Sequence, residues 1–153
     1  MIYDPLGNID YNETGTGPTV VFVPGSCSTG AAWRPIIAAL SARFRCVTTS
    51  LPGYGGTAER RTPIDPPMTR EVEVVEVVVR RAAGVRGDPV HLVGHSFGGL
   101  VGLAIALRRQ VRLASLVIAE APAPEMLRAC NEMEHYQAFR DMTEHYFANF
   151  QRG

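Results

Sequence analysis

Four short runs of β-branched and apolar residues, separated by stretches of helical period, constrain the fold of this chain more than any other feature. Thr19-Val20-Val21-Phe22-Val23, closed by Pro24-Gly25, shows no polar alternation, so a strand there must be covered on both faces, as the strands of parallel sheets are. Arg45–Thr49, Pro89–Gly94 and Ala114–Ala119 repeat the strand signal. Between the first two, Trp33, Ile36, Ile37 and Leu40 recur at helical spacing behind Ser28 or Thr29 as a cap. Between the last two, Leu100–Arg109 predicts another helix. Thr69–Ala83 is ambiguous by composition, because its valines favour strands. Val72, Val75 and Val79 nevertheless share a helical face, and a right-handed crossover between parallel strands of this length is usually helical, so we read a helix. The alternation predicts an α/β fold, a three-layer sandwich around a mostly parallel sheet.

The flanks differ from this regular middle. Tyr3–Pro18 mixes a strand-like run, Ile9–Asn12, with Gly7, Gly15, Gly17 and Pro18. Leu51–Thr57 is a glycine-rich loop, and Pro63, Pro66 and Pro67 make 58–67 a surface excursion. Beyond Pro122 and Pro124, Glu125–Phe150 is amphipathic, with Phe139, Met142, Tyr146 and Phe150 near one face. The expected organisation is a core at 1–122 and a helical segment at 123–153 that caps a site or covers a sheet edge.

Composition removes several functions. The formal net charge is +0 and all 15 positive charges are arginines. No field draws the chain to nucleic acid or anionic lipid, and without lysine there is no Schiff base and no phosphate-gripping ammonium. Gly25-Ser26-Cys27-Ser28-Thr29-Gly30 has phosphate-loop glycine spacing, but Ala31 and Ala32 stand where lysine and a magnesium-ligating hydroxyl are needed. Cys27, Cys46 and Cys130 read as free thiols, and no metal-ligand cluster or cofactor motif is present, so neither metal nor cofactor is expected. With no apolar stretch of membrane length and no signal-like N-terminus, a cytoplasmic setting away from the membrane is the expectation.

Chemistry concentrates at Gly94-His95-Ser96-Phe97-Gly98-Gly99, between a buried strand and a helix. A sharp turn there forces its central residue into a strained conformation and exposes that side chain at the carboxyl edge of the sheet. Side chains at 94 and 98 would collide, which glycine avoids. The helix beginning here aims its amides at the position where negative charge develops.

With these landmarks the sequence resembles the α/β-hydrolase family, from about Ile9 to about Pro122. Members place a His-Gly-x oxyanion loop after the first buried strand, an Asp-x-x-Gly-x-Gly loop after the next, then the nucleophile. Here the three read Pro24-Gly25-Ser26, Ser50–Gly55 and Gly94–Gly98. The resemblance implies a serine hydrolase of ester-like, small-molecule acyl substrates, with Ser96 as nucleophile and the backbone amides of Ser26 and Phe97 as the oxyanion hole. Pro24 and Ser50 replace a histidine and an aspartate that would help to hold those loops, which predicts looser loops.

The resemblance also implies an acid and a base later in the chain. Glu120, ending the fourth strand, stands where some members carry the acid; the alternative is a strand-end carboxylate bonded to its loop or bathed in solvent. Family members carry the histidine after strands that have no counterpart in this sequence, so the resemblance is to a truncated α/β-hydrolase fold with a trailing helical segment. His91 and His95 read as structural, and His95 should point away from Ser96. His145 is the candidate base, against the plainer reading of a solvent-facing helix residue. The alternative to an active enzyme is an inactive half-domain, or one completed by a homodimer or complementing chain that covers the sheet edge beyond the fourth strand.

Overall fold

The computed structural model describes residues 1–150, and in the last helix it leaves out the side chains of Tyr146, Phe147, Asn149 and Phe150. The sequence reading that set Tyr146 and Phe150 on the apolar face therefore lies outside the described residues. The chain divides into two compact units, Met1–Ala121 and Pro122–Gly153.

The first unit opens with a hairpin, β1 (Ile2–Asp4) and β2 (Gly7–Ile9). A five-stranded sheet follows, built from β3 (Asn12–Thr14), β4 (Thr19–Val23), β5 (Arg45–Thr48), β6 (Val90–His95) and β7 (Leu113–Ala119). Its spatial order is β3-β5-β4-β6-β7, with β3 antiparallel and the other four mutually parallel. Only the three-residue β3 breaks the parallel pattern, so the expected α/β architecture holds.

Two helical layers sandwich the sheet because successive strand residues point to opposite faces. Val21, Val23, Val47 and Leu92 meet α2 (Thr69–Ala83) and α3 (Phe97–Arg108) on one face, where Val72, Val75, Val79, Val101 and Ile105 are buried with them. Val20, Phe22 and Cys46 form a smaller cluster on the other face, with Trp33 of a short 3-10 helix (Gly30–Trp33) and Ile37 and Leu40 of α1 (Arg34–Leu40). Thr29 caps the 3-10 turn, its hydroxyl accepting from the Ala31 amide at 3.3 Å. Ile36, assigned to the same apolar stripe from sequence, points outward and is exposed.

The ambiguous segment is a helix over the predicted bounds, but its acids lie deeper than the valine pattern implies. Glu71 and Glu76 are buried. Glu76 receives Arg80 at 3.0 Å and Arg108 of α3 at 3.1 Å, while Glu71 receives Arg61 at 3.1 Å. Buried carboxylates persist only when paired in this way.

The fourth parallel strand stands at the open edge expected beyond it, and is less covered than a buried strand. β7 lies at the sheet edge, with Val117 52% and Ile118 42% exposed, and Leu103 and Leu107 of α3 are exposed as well. Its apolar run reads as a strand covered on both faces, but coverage depends on neighbours that a strand's own sequence does not supply.

The second unit contains α4 (Pro124–Ala129) and α5 (Met133–Phe150). Tyr136 donates to Glu125 at 3.1 Å, and Arg128 pairs with Glu125 at 2.8 Å. Phe139 is half-buried, whereas Met126, Met133 and Met142 are exposed. Among the described residues no helix is long and apolar enough to cross a membrane.

Candidate active site

Strand order locates the site. From the central β4 the chain moves to β5 on one side, then returns to β6 on the other. Such a reversal leaves a crevice beyond the carboxyl ends of the two diverging strands, where open α/β sheets bind their ligands. The loops entering that crevice are Pro24–Thr29 after β4 and His95–Phe97 after β6.

Ser96 occupies the turn between β6 and α3 with φ 52° and ψ −125°, a backbone conformation that is costly for any residue with a Cβ. Two backbone hydrogen bonds hold it, and the side chain stays out of them. Its amide donates to the Ala119 carbonyl at 2.8 Å, its carbonyl accepts from the Gly99 amide at 2.8 Å, and its side chain makes no capping bond to α3. The hydroxyl is thus not consumed by the helix terminus that it adjoins.

The glycines act as the turn requires. A Cβ at Gly94 would lie 2.6 Å from the Gly98 carbonyl carbon, and one at Gly98 would strike the Pro24 carbonyl oxygen and stand 2.5 Å from that of Val23. These contacts draw the start of α3 against the end of β4. A Cβ at Gly25 would lie 2.9 Å from the Ser96 Cβ, so the loop after β4 abuts the turn that carries Ser96. Ser26, next in the chain, is exposed beside it, and Phe97 is the first residue of α3. The two amides expected to hold an oxyanion therefore belong to the backbone segments that flank Ser96.

His95 and Glu120 meet at the same edge. The His95 ring stands edge-on to Trp33 at 6.5 Å between centroids, its Nδ1 lies 3.4 Å from the Cβ position of Gly25, and its Nε2 is 3.3 Å from Glu120 Oε2. Glu120 follows β7 with φ 54°, and its side chain is 86% exposed. Its observed partner is thus the histidine that precedes Ser96. His91 sits five residues upstream at the start of β6, bonded to Ser115 at 2.8 Å, roughly 16 Å from Ser96 by strand rise. His145 lies on α5 of the second unit and is exposed.

The reading of loosened loops is overturned at Ser50. That side chain is fully buried, and its hydroxyl accepts from the Gly30 amide at 3.1 Å while donating to Asp10 Oδ2 at 2.8 Å. Sequence reasoning missed Asp10. The one available signal was a hydroxyl standing where the resemblance places a carboxylate, and it does not say which distant residue compensates.

The thiols differ in their surroundings. Burial pushes the Cys46 thiol up, which keeps it protonated, and Cys27 is exposed with the Tyr54 hydroxyl 3.8 Å from its sulfur. Among the described residues no cluster of three or more potential metal ligands exists.

A sequence profile described as "Alpha/beta hydrolase family" matches residues 20–151, and the chain belongs to that family. The pimeloyl-[acyl-carrier protein] methyl ester esterase of Aeromonas hydrophila subsp. hydrophila is 31% identical over 139 residues, which cover 82% of this chain and 51% of that protein. The corresponding esterase of Aeromonas salmonicida is 30% identical over 138 residues, with the same two coverages. Among solved structures, an epoxide hydrolase from Vigna radiata superposes with a TM-score of 0.66 at 30% identity, covering 75% of this chain and 37% of that one. The chain spans about half the length of the curated relatives it matches.

Proposed function

We propose that this chain carries the nucleophile and oxyanion-hole half of a serine hydrolase acting on small, ester-like acyl substrates. The observation that carries the reading is Ser96, held at φ 52° between β6 and α3 with the oxyanion loop against it at Gly25. In the proposed reaction the Ser96 oxygen attacks the acyl carbon and its proton passes to a base. The carbonyl π electrons move onto oxygen, which the Ser26 and Phe97 amides stabilise, and the dipole of α3 adds positive potential there. Collapse expels the alcohol, which takes the proton back from the base, and water then releases the acid by the same steps.

His145 is the candidate base within this chain, with Glu120 as the candidate orienting acid. A second reading, a half-domain completed by another copy or a complementing chain, draws support from the exposed apolar residues of β7. A fluorophosphonate probe tests both readings. Labelling of the protein that Ser96→Ala abolishes is the expected result. Labelling that persists in Ser96→Ala refutes the assignment, and a wild type that stays unlabelled favours the half-domain.

A further inference from the structure

The oxyanion loop, Pro24–Thr29, is pinned at both ends. At its start Gly25 abuts Ser96. At its end the Gly30 amide donates to Ser50 Oγ at 3.1 Å, and Gly30 is so close to β5 that a Cβ there would lie 2.9 Å from the Thr49 carbonyl oxygen. The Ser50 hydroxyl can accept that bond along a fixed direction only if its own proton is committed elsewhere. Asp10 Oδ2, 2.8 Å away, takes that proton.

Asp10 is itself held from several sides. Its amide donates to Thr57 Oγ1 at 3.0 Å, its carbonyl accepts from Thr49 Oγ1 at 2.8 Å, and its Oδ1 accepts from Asn12 at 3.2 Å. Thr57 in turn donates to the Ser50 carbonyl at 2.7 Å. Gly55 closes the packing, because a Cβ there would stand 2.7 Å from Ser50 Oγ and 2.9 Å from Asp10 Oδ2. The link between β2 and β3, the end of β5 and the loop after it thus converge on one buried hydroxyl, which faces Gly30, the residue that follows the oxyanion loop.

We propose that Asp10 is a positioning residue for the oxyanion loop, acting through Ser50. The carboxylate that the family resemblance places at position 50 has in effect moved 40 residues upstream, and a hydroxyl relays its hold on Gly30. Without Asp10 the Ser50 proton loses its carboxylate acceptor, and the hydroxyl turns toward other carbonyls at the expense of the Gly30 bond. Ser26, four residues before Gly30, then loses the fixed placement that an oxyanion donor needs.

The effect on labelling rests on the proposed function; the effect on the Gly30 amide does not. Hydrogen exchange across Gly30–Ala32 and the rate of fluorophosphonate labelling are therefore measured together on wild type, Asp10→Ala and the exchange variant Asp10→Ser/Ser50→Asp. Asp10→Ala is expected to lose protection at Gly30 and to slow maximal labelling roughly tenfold or more, by misplacing an oxyanion donor, with the half-saturating probe concentration unchanged. The exchange variant, with its carboxylate directly on Gly30, is expected to recover both. Wild-type protection at Gly30 in Asp10→Ala overturns the proposal, as does an exchange variant no better than Asp10→Ala. If Gly30 behaves as expected but wild type is never labelled, the anchor stands and the hydrolase reading falls.

Discussion

Replacing Gly98 by alanine tests the packing that brings the nucleophile turn against the oxyanion loop. The new Cβ would stand 2.5 Å from the Val23 carbonyl oxygen and closer still to that of Pro24, whereas ordinary contact begins at 3.4 Å. The shortfall is roughly 0.9 Å, the difference between those two distances, and both obstacles are backbone atoms that cannot rotate away. Either the start of α3 or the end of β4 must shift, and overpacking of this kind costs about 1–3 kcal/mol. For a chain of this size that is roughly 2–12 °C in Tm, at about 2–4 °C per kcal/mol.

Gly102→Ala is the control. It lies one turn further along α3, where the added Cβ meets only the end of a side chain, Leu116 Cδ1 at 3.0 Å. Alanine also favours a helix interior over glycine by about 1 kcal/mol, so Gly102→Ala is expected to match or exceed the wild-type Tm. Thermal unfolding followed by circular dichroism compares the two. Equal melting temperatures for Gly98→Ala and wild type, or a larger loss in Gly102→Ala, would show that α3 does not press on β4 as described.

Two further outcomes are expected. Glu120→Gln should leave the Tm within about 4 °C of wild type, because an exposed pair such as His95–Glu120 contributes at most about 1 kcal/mol; a slowing of labelling about a hundredfold at unchanged stability would assign Glu120 a part in the chemistry, and unchanged labelling would remove it. Hydrogen bonding from the Arg61 guanidinium holds the Glu59 carboxyl at about 2, below its ordinary 4.5. A depressed carboxyl stabilises the fold above its unfolded value and loses that contribution as pH falls through the folded one, so the Tm gap between wild type and Glu59→Gln should narrow from pH 4.5 to pH 2. Both side chains are nearly half exposed, which limits the gap to under about 1 kcal/mol; a gap that is flat across that window contradicts the assignment.

The sequence by itself determined the layer architecture and the position of the strained turn at Ser96. Both rest on local regularities: an apolar run without alternation at β4, β-branched and apolar runs at β5 and β6, the 3.6-residue spacing of Val72, Val75 and Val79, and glycines two residues on either side of Ser96. A strained turn must be compatible with its own residues, so its signature is contiguous in the chain, and the same holds for the oxyanion-loop amides, which do not depend on side-chain identity.

Only the tertiary structure decided which groups serve as partners. Ser50 suggested a lost carboxylate, yet Asp10 supplies one from 40 residues upstream. Glu71 and Glu76 read as polar residues among valines, yet they are buried against arginines 10 and 32 residues away. Glu120 could be placed at a strand end, but its pairing with His95 depends on β6 and β7 lying side by side. β7 stands at the edge expected of it, but that Val117 and Ile118 are its exposed apolar residues was decided by the fold. The physical reason is common to all four. Hydrogen bonds and burial depend on distances between atoms that the fold brings together from far along the chain, and periodicity reports only what neighbouring residues do.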